Sequence, residues 1–237
     1  MRLSVLLAVT LVAFASMASA EPIFPTCIAG GTMASYEALG VGGCVIGDKL
    51  FNNFSYSSTG SGTATAVPDS LVFLTPVDAG TYSPGPGIVF SSNNWVVPGS
   101  TTVTSILDMS FRFTVTVLPG GHLIDDASLT LGNFNMTGNG TGNIGESLCN
   151  ADCSAQLGRR LDVSAGGQLF DETSFAGTNT VVVQKNFSLA VPRNSTGSIS
   201  VSSFTENFSE IPEPVGAILI GSGLLALGAW RRRGSRG

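Results

Sequence analysis

Charge and histidine are scarce in this chain. Only 11% of its 237 residues are Asp, Glu, Lys or Arg, and His122 is the single histidine. Any Ser-His-Asp hydrolase built here would have to use His122, and no G-x-S-x-G elbow accompanies it. Helical periodicity is nearly absent, which excludes a helical bundle. No repeat recurs at a fixed period, which excludes a solenoid or propeller. No EF-hand or RTX-type loop occurs, and the four cysteines lack the paired C-x-x-C spacing of zinc modules. No cofactor or metal is called for by any motif.

The sequence does contain short runs of Val, Phe, Thr and Ser separated by Gly, Pro and Asn. In Phe111-Arg112-Phe113-Thr114-Val115-Thr116-Val117 the odd positions are apolar and the even ones polar, the period of a half-buried strand. Pro119-Gly120-Gly121 ends it with turn chemistry. Leu129-Thr130-Leu131 begins another strand, with Phe134 and Met136 on a bulged continuation. Residues 180–191 and 198–204 are expected to form a hairpin across 192–197. Further strands are expected at 50–57, 71–75 and 88–91, and a last one runs through 202–210. A short helix is expected at 33–39, ended by Gly40. This pattern predicts an all-β fold, a single jelly-roll-like β-sandwich spanning residues 21–210.

Both ends stand apart from that domain. Arg2, the apolar stretch 3–14 and Ala18-Ser19-Ala20 follow the order of a signal peptide, residues 1–20, cleaved after Ala20. At the other end, residues 215–230 carry no charge and precede Arg231-Arg232-Arg233. Sixteen helical residues would cover about 24 Å, enough to span a bilayer as a transmembrane helix with help from the flanks. The arginines hold their side in the cytoplasm, so the body of the chain faces outward, the topology that the signal peptide also dictates.

Five of the eleven basic residues and one of the sixteen acidic ones (Glu213) lie in these end segments. Six basic residues then face fifteen acidic ones in the middle, a net charge of −9. Such a domain repels nucleic acid and anionic lipid. Its four cysteines, Cys27, Cys44, Cys149 and Cys153, all lie in the exported part, where an even count favours disulfides. Three pairings are possible; the local one, Cys27–Cys44 with Cys149–Cys153, is expected.

Pro212-Glu213-Pro214, the apolar span and the arginine cluster together resemble the PEP-CTERM sorting signal of Gram-negative bacteria, covering residues 211–237. The resemblance implies recognition and processing near Pro212-Glu213-Pro214 by an exosortase, a membrane-embedded cysteine protease-transpeptidase. It further implies transient anchoring in the inner membrane with the domain in the periplasm, then delivery to the cell surface or extracellular polysaccharide matrix. The segments 43–56 and 124–129 resemble the bodies of other PEP-CTERM proteins, which supports an extracellular β domain and adds no activity.

The remaining chemistry is weakly signalled. His122 could pair with Asp125 or Asp126 in a triad, or two of Asp125, Asp126, Asp171 and Glu172 could flank a glycosidic bond. Asp48, Asp69 or Asp125-Asp126 could hold calcium at a strand end. Trp95, Tyr56 and Tyr82 could stack on sugar rings. The Gly221-Ser222-Gly223 run mimics a dinucleotide fingerprint but lies in the apolar span without a preceding strand. The six N-x-S/T sequons follow from composition. The leading expectation is an exported, non-enzymatic protein of the surface or matrix, associated with exopolysaccharide and biofilm, with no catalytic residue. A carbohydrate-binding module is the first alternative and a secreted hydrolase the second.

Overall fold

The computed structural model describes residues 23–78 and 85–210. The signal segment, Tyr82 and the sorting segment with Pro212, Glu213, Pro214, Arg231, Arg232 and Arg233 lie outside the described residues, as does the expected span 215–230. Among the described residues no helix is long and apolar enough to cross a membrane.

The described chain runs β1 (Gly31–Thr32), α1 (Met33–Glu37), β2 (Cys44–Ile46), β3 (Lys49–Ser61), β4 (Phe73–Asp78), β5 (Pro86–Ser91) and β6 (Val96–Pro98). It continues with β7 (Ser105–Val117), β8 (Ile124–Leu131), β9 (Phe134–Thr137), β10 (Thr141–Cys149), β11 (Gln156–Ser164) and β12 (Phe170–Thr178). The last three are β13 (Thr180–Val191), β14 (Ser198–Val201) and β15 (Ser203–Glu210). One six-stranded sheet has the order β11-β10-β13-β7-β3-β2 and another the order β1-β4-β5-β15-β8-β12, with a small β6-β14-β9 sheet beside them. The fold is an all-β sandwich.

Alternation builds the core. Along β7, Leu107, Met109, Phe111, Phe113 and Val115 are buried while Asp108, Ser110 and Arg112 are exposed. The same alternation runs through β13, which pairs with β7 over the full length from Thr180↔Thr116 to Val191↔Ser105. Strand β3 keeps that phase only by a bulge between Asn52 and Ser55. Asn53 takes a φ of 53° there, a left-handed conformation that Asn tolerates better than most residues. The extra residue lets both Phe51 and Phe54 point inward, although their spacing of three would otherwise put them on opposite faces.

Aromatic rings fill the space between the sheets. Phe204 of β15 lies 5.3 Å from Phe111 of β7 and 5.9 Å from Phe187 of β13, centroid to centroid. Trp95, just before β6, stacks on Phe204 at 5.6 Å and meets Phe187 edge-on at 5.1 Å. At the other end, Phe208 of β15 contacts Phe51 at 6.1 Å.

Several sequence expectations need correction. The segments 180–191 and 198–204 form no hairpin ladder. Strand β14 pairs with β6 and β9, and β15 pairs with β5 and β8 in the opposite sheet. Pro192 offers no amide hydrogen to such a ladder, and the apolar positions of β15 are needed across the core. Phe134 and Met136 lie on the separate strand β9 and do not extend β8. The helix stops at Glu37, with Thr32 accepting a hydrogen bond from Ser35 N at 3.2 Å as its N-cap, and Gly40 turns the chain at a φ of 55°. Strands β10, β11 and β12 were not anticipated. Two glycines, Gly142 and Gly145, dilute the pattern of β10, and adjacent Arg159-Arg160 disguise β11.

Both local disulfides are present. Cys27–Cys44 has an S–S distance of 2.05 Å and a Cα–Cα distance of 4.8 Å, tying the N-terminal segment to β2. Cys149–Cys153 closes the turn from β10 to β11. Replacing Cys27 and Cys44 by serine together should lower the unfolding free energy in urea by about 3 kcal/mol, because that bridge closes the longer loop. The same change at Cys149 and Cys153 should cost less.

Candidate functional site

The outward face of the β11-β10-β13-β7-β3-β2 sheet is polar. Register sets Ser55, Arg112, Gln184 and Ser147 in one row across β3, β7, β13 and β10. The neighbouring row holds Ser57, Ser110, Asn186 and Gly145. The Ser57 and Ser110 hydroxyl oxygens are 2.8 Å apart. Between the rows lies an open depression of about 430 Å³. Gly145 and Arg160 line it, and a Cβ at Gly145 would stand 1.8 Å from a terminal nitrogen of Arg160. The missing side chain therefore makes room for the Arg160 guanidinium, whose Nε donates to Asp162 at 3.1 Å. Arg112 is exposed, and among the described residues no group bonds to or pairs with its guanidinium. The arrangement can offer amide, hydroxyl and guanidinium donors to a hydroxyl-rich or anionic ligand.

A different polar group lies in the core. Lys185 of β13, Glu146 directly opposite it on β10, and Glu206 of β15 are all buried. Lys185 Nζ contacts Glu146 Oε2 and lies 2.6 Å from Glu206 Oε2. Burial pushes the Glu206 carboxyl up to about 7 and the Lys185 amine down. These three residues were missed at the level of sequence, yet a signal existed. Each is a charge in the inward phase of an alternating strand, as in Phe204-Thr205-Glu206-Asn207-Phe208.

The residues proposed from sequence are scattered. His122 follows β7 in a turn, and its backbone N–H donates to Asp48 Oδ2 at 2.6 Å. Asp125 and Asp126 lie on β8, where Asp126 Oδ1 accepts from Ser209 N at 3.0 Å. Asp69 starts a short 3-10 turn and accepts from Ser70 N at 2.7 Å. Among the described residues no group of three or more His, Cys, Asp and Glu is placed to hold a metal ion. Asp171 and Glu172 sit side by side on β12, and Asp171 is gripped by both terminal nitrogens of Arg159. No aromatic platform forms from the described candidates. Trp95 is fully buried among phenylalanines, and the Tyr56 hydroxyl donates to Val67 O at 3.0 Å. Large rings went to the core because their area is worth most there.

No family model matches the chain, and no curated protein matches it either. Among solved structures, the chain is similar to TmCBM61 in complex with β-1,4-galactotriose, at 10% identity, covering 65% of this chain and 88% of that one, with a TM-score of 0.30. It is also similar to the CBM22-1 xylan-binding domain of Paenibacillus barcinonensis Xyn10C. There the identity is 8%, the cover 79% of this chain and 100% of that one, and the TM-score 0.23. A third similarity is to the enzymatically active domain of bacteriophage CBA120 tailspike protein 4, at 12% identity and a TM-score of 0.29. That match covers 66% of this chain and spans only 19% of the tailspike chain. Similarities of this size carry no argument about ligand or activity.

The Arg159 grip holds the Asp171 carboxyl down from its ordinary 3.8 to about 2. A depressed carboxylate stabilises the fold above its unfolded pKa, and that contribution drains as the pH falls through the folded value. The melting temperature should therefore fall from about pH 4 to pH 2, and Asp171→Asn should flatten that part of the profile.

Proposed function

We propose that this protein is an exported, non-enzymatic module of the cell surface or extracellular matrix that holds polysaccharide on the polar face around Arg112. The observation that carries this reading is the row of Ser55, Arg112, Gln184 and Ser147 along an open depression that Gly145 and Arg160 also line. A shallow face of hydroxyl, amide and guanidinium groups suits a hydroxylated chain laid across the strands.

Export is supported by the two disulfides, which persist where the surroundings are oxidising. The sorting route rests on the Pro212-Glu213-Pro214 segment and its span. Strand β15 lies between β5 and β8 and is paired as far as Glu210, so processing beyond it leaves the sandwich whole. In this reading an exosortase is the processing partner, and the inner membrane holds the chain until processing.

Pull-down of the exported protein on matrix polysaccharide should retain the wild type. Arg112→Ala combined with Gln184→Ala should weaken retention about tenfold or more, since hydrogen bonds to a charged group are worth about 1.5–3 kcal/mol. Undiminished retention by the double variant would remove the face from consideration. The mass of the mature C-terminus should place its end near Pro212; a chain still ending at Gly237 would contradict processing.

A further inference from the structure

The buried group of Lys185, Glu146 and Glu206 is out of balance as a set of charges. One ammonium faces two carboxylates in an enclosure of Phe111, Phe187, Ile144, Leu148, Phe204 and Phe208. The Phe204 ring centroid is 5.8 Å from Lys185 Nζ. Among the described residues, and apart from the lysine contact, neither oxygen of Glu146 meets a donor, and Glu206 Oε1 has none. Full ionisation would strand a net negative charge in the core, which costs several kcal/mol. A core that keeps three such residues in direct contact, spread over both sheets, has the parts for a reaction that removes the charges.

We propose that the Lys185 amine and the Glu146 carboxyl condense to an intramolecular amide, with Glu206 as the catalytic acid and base. The neutral Nζ attacks Cδ of the protonated Glu146 carboxyl. Protonated Glu206 gives its proton to the departing hydroxyl, and its carboxylate then takes a proton from Nζ. One C–N bond forms, one C–O bond breaks and one water leaves; no oxidant, reductant or cofactor is needed. Burial favours the neutral Lys185 amine and the protonated Glu206 carboxyl that this sequence starts from. The cross-strand register holds the reacting groups together, so the step gains the advantage of an intramolecular reaction. The product is neutral, and Glu206 can donate a hydrogen bond to the new amide. The bond ties β10 to β13 in the middle of their sheet, and it does not depend on the polysaccharide reading above.

Tryptic mapping of the full-length protein, reduced and denatured after purification in its folded state, tests this. No Lys or Arg falls within 113–158, and Lys185 is the only one within 161–192. The expected product is residues 113–159 joined to 161–193, one water lighter than the two together and uncut after Lys185. In Glu206→Gln and Lys185→Met the two peptides should separate. Unlinked peptides from the folded wild type, cut after Lys185, would overturn the proposal. A link from Lys185 to the peptide holding Glu206 would overturn the choice of acceptor, and a link surviving in Glu206→Gln would overturn the catalyst.

Discussion

Phe204 stands where the two sheets meet. Its ring stacks on Phe90 at 4.9 Å and on Trp95, and its faces and edges reach Phe111 and Phe187 from the opposite sheet. The rest of the architecture depends on that interdigitation. A sheet whose inward residues are phenylalanine, leucine and valine must find a second sheet of the same kind, about 10 Å away, or leave its face in water. Position 204 achieves this only because the chain, after finishing β13, crosses over and threads its last strand between β5 and β8.

The same strict alternation divides the polar residues into two populations. Those in the outward phase, such as Arg112, Gln184 and Ser110, line a solvated face. Those in the inward phase, Lys185, Glu146 and Glu206, have no water to satisfy them and must settle their charges among themselves. One phase rule thus yields both a polar outer face and a buried charged group, back to back across β13. Their adjacency at Lys185 and Gln184 is a consequence of strand geometry, in which neighbouring side chains face opposite ways.

Much of the fold was legible along the chain. The alternation in residues 111–117 and 180–191 located the two central strands, and the cysteine spacing pointed to the pairing that forms. The hairpin expected across 192–197 does not form, because adjacency in sequence is not pairing and burial of Phe204 and Phe208 demands the far sheet. Strand β10 was hidden by its glycines, although Gly145 is what lets Arg160 lie over the outer face. The candidate site fared worse. Trp95 reads the same in sequence whether it faces a sugar or a phenylalanine, and only its neighbours decide.

By itself the sequence determined the class of fold and pointed to the short-range disulfides, because each depends on local period or spacing. Tertiary structure alone decided which strands pair, which polar residues share a face, and that Lys185 meets Glu146 and Glu206. Those three are 39 and 21 residues apart along the chain as numbered, measured from Lys185. Nothing local links them; the pairing of β10 with β13 sets Glu146 against Lys185, and β15 brings Glu206 to them from the other sheet.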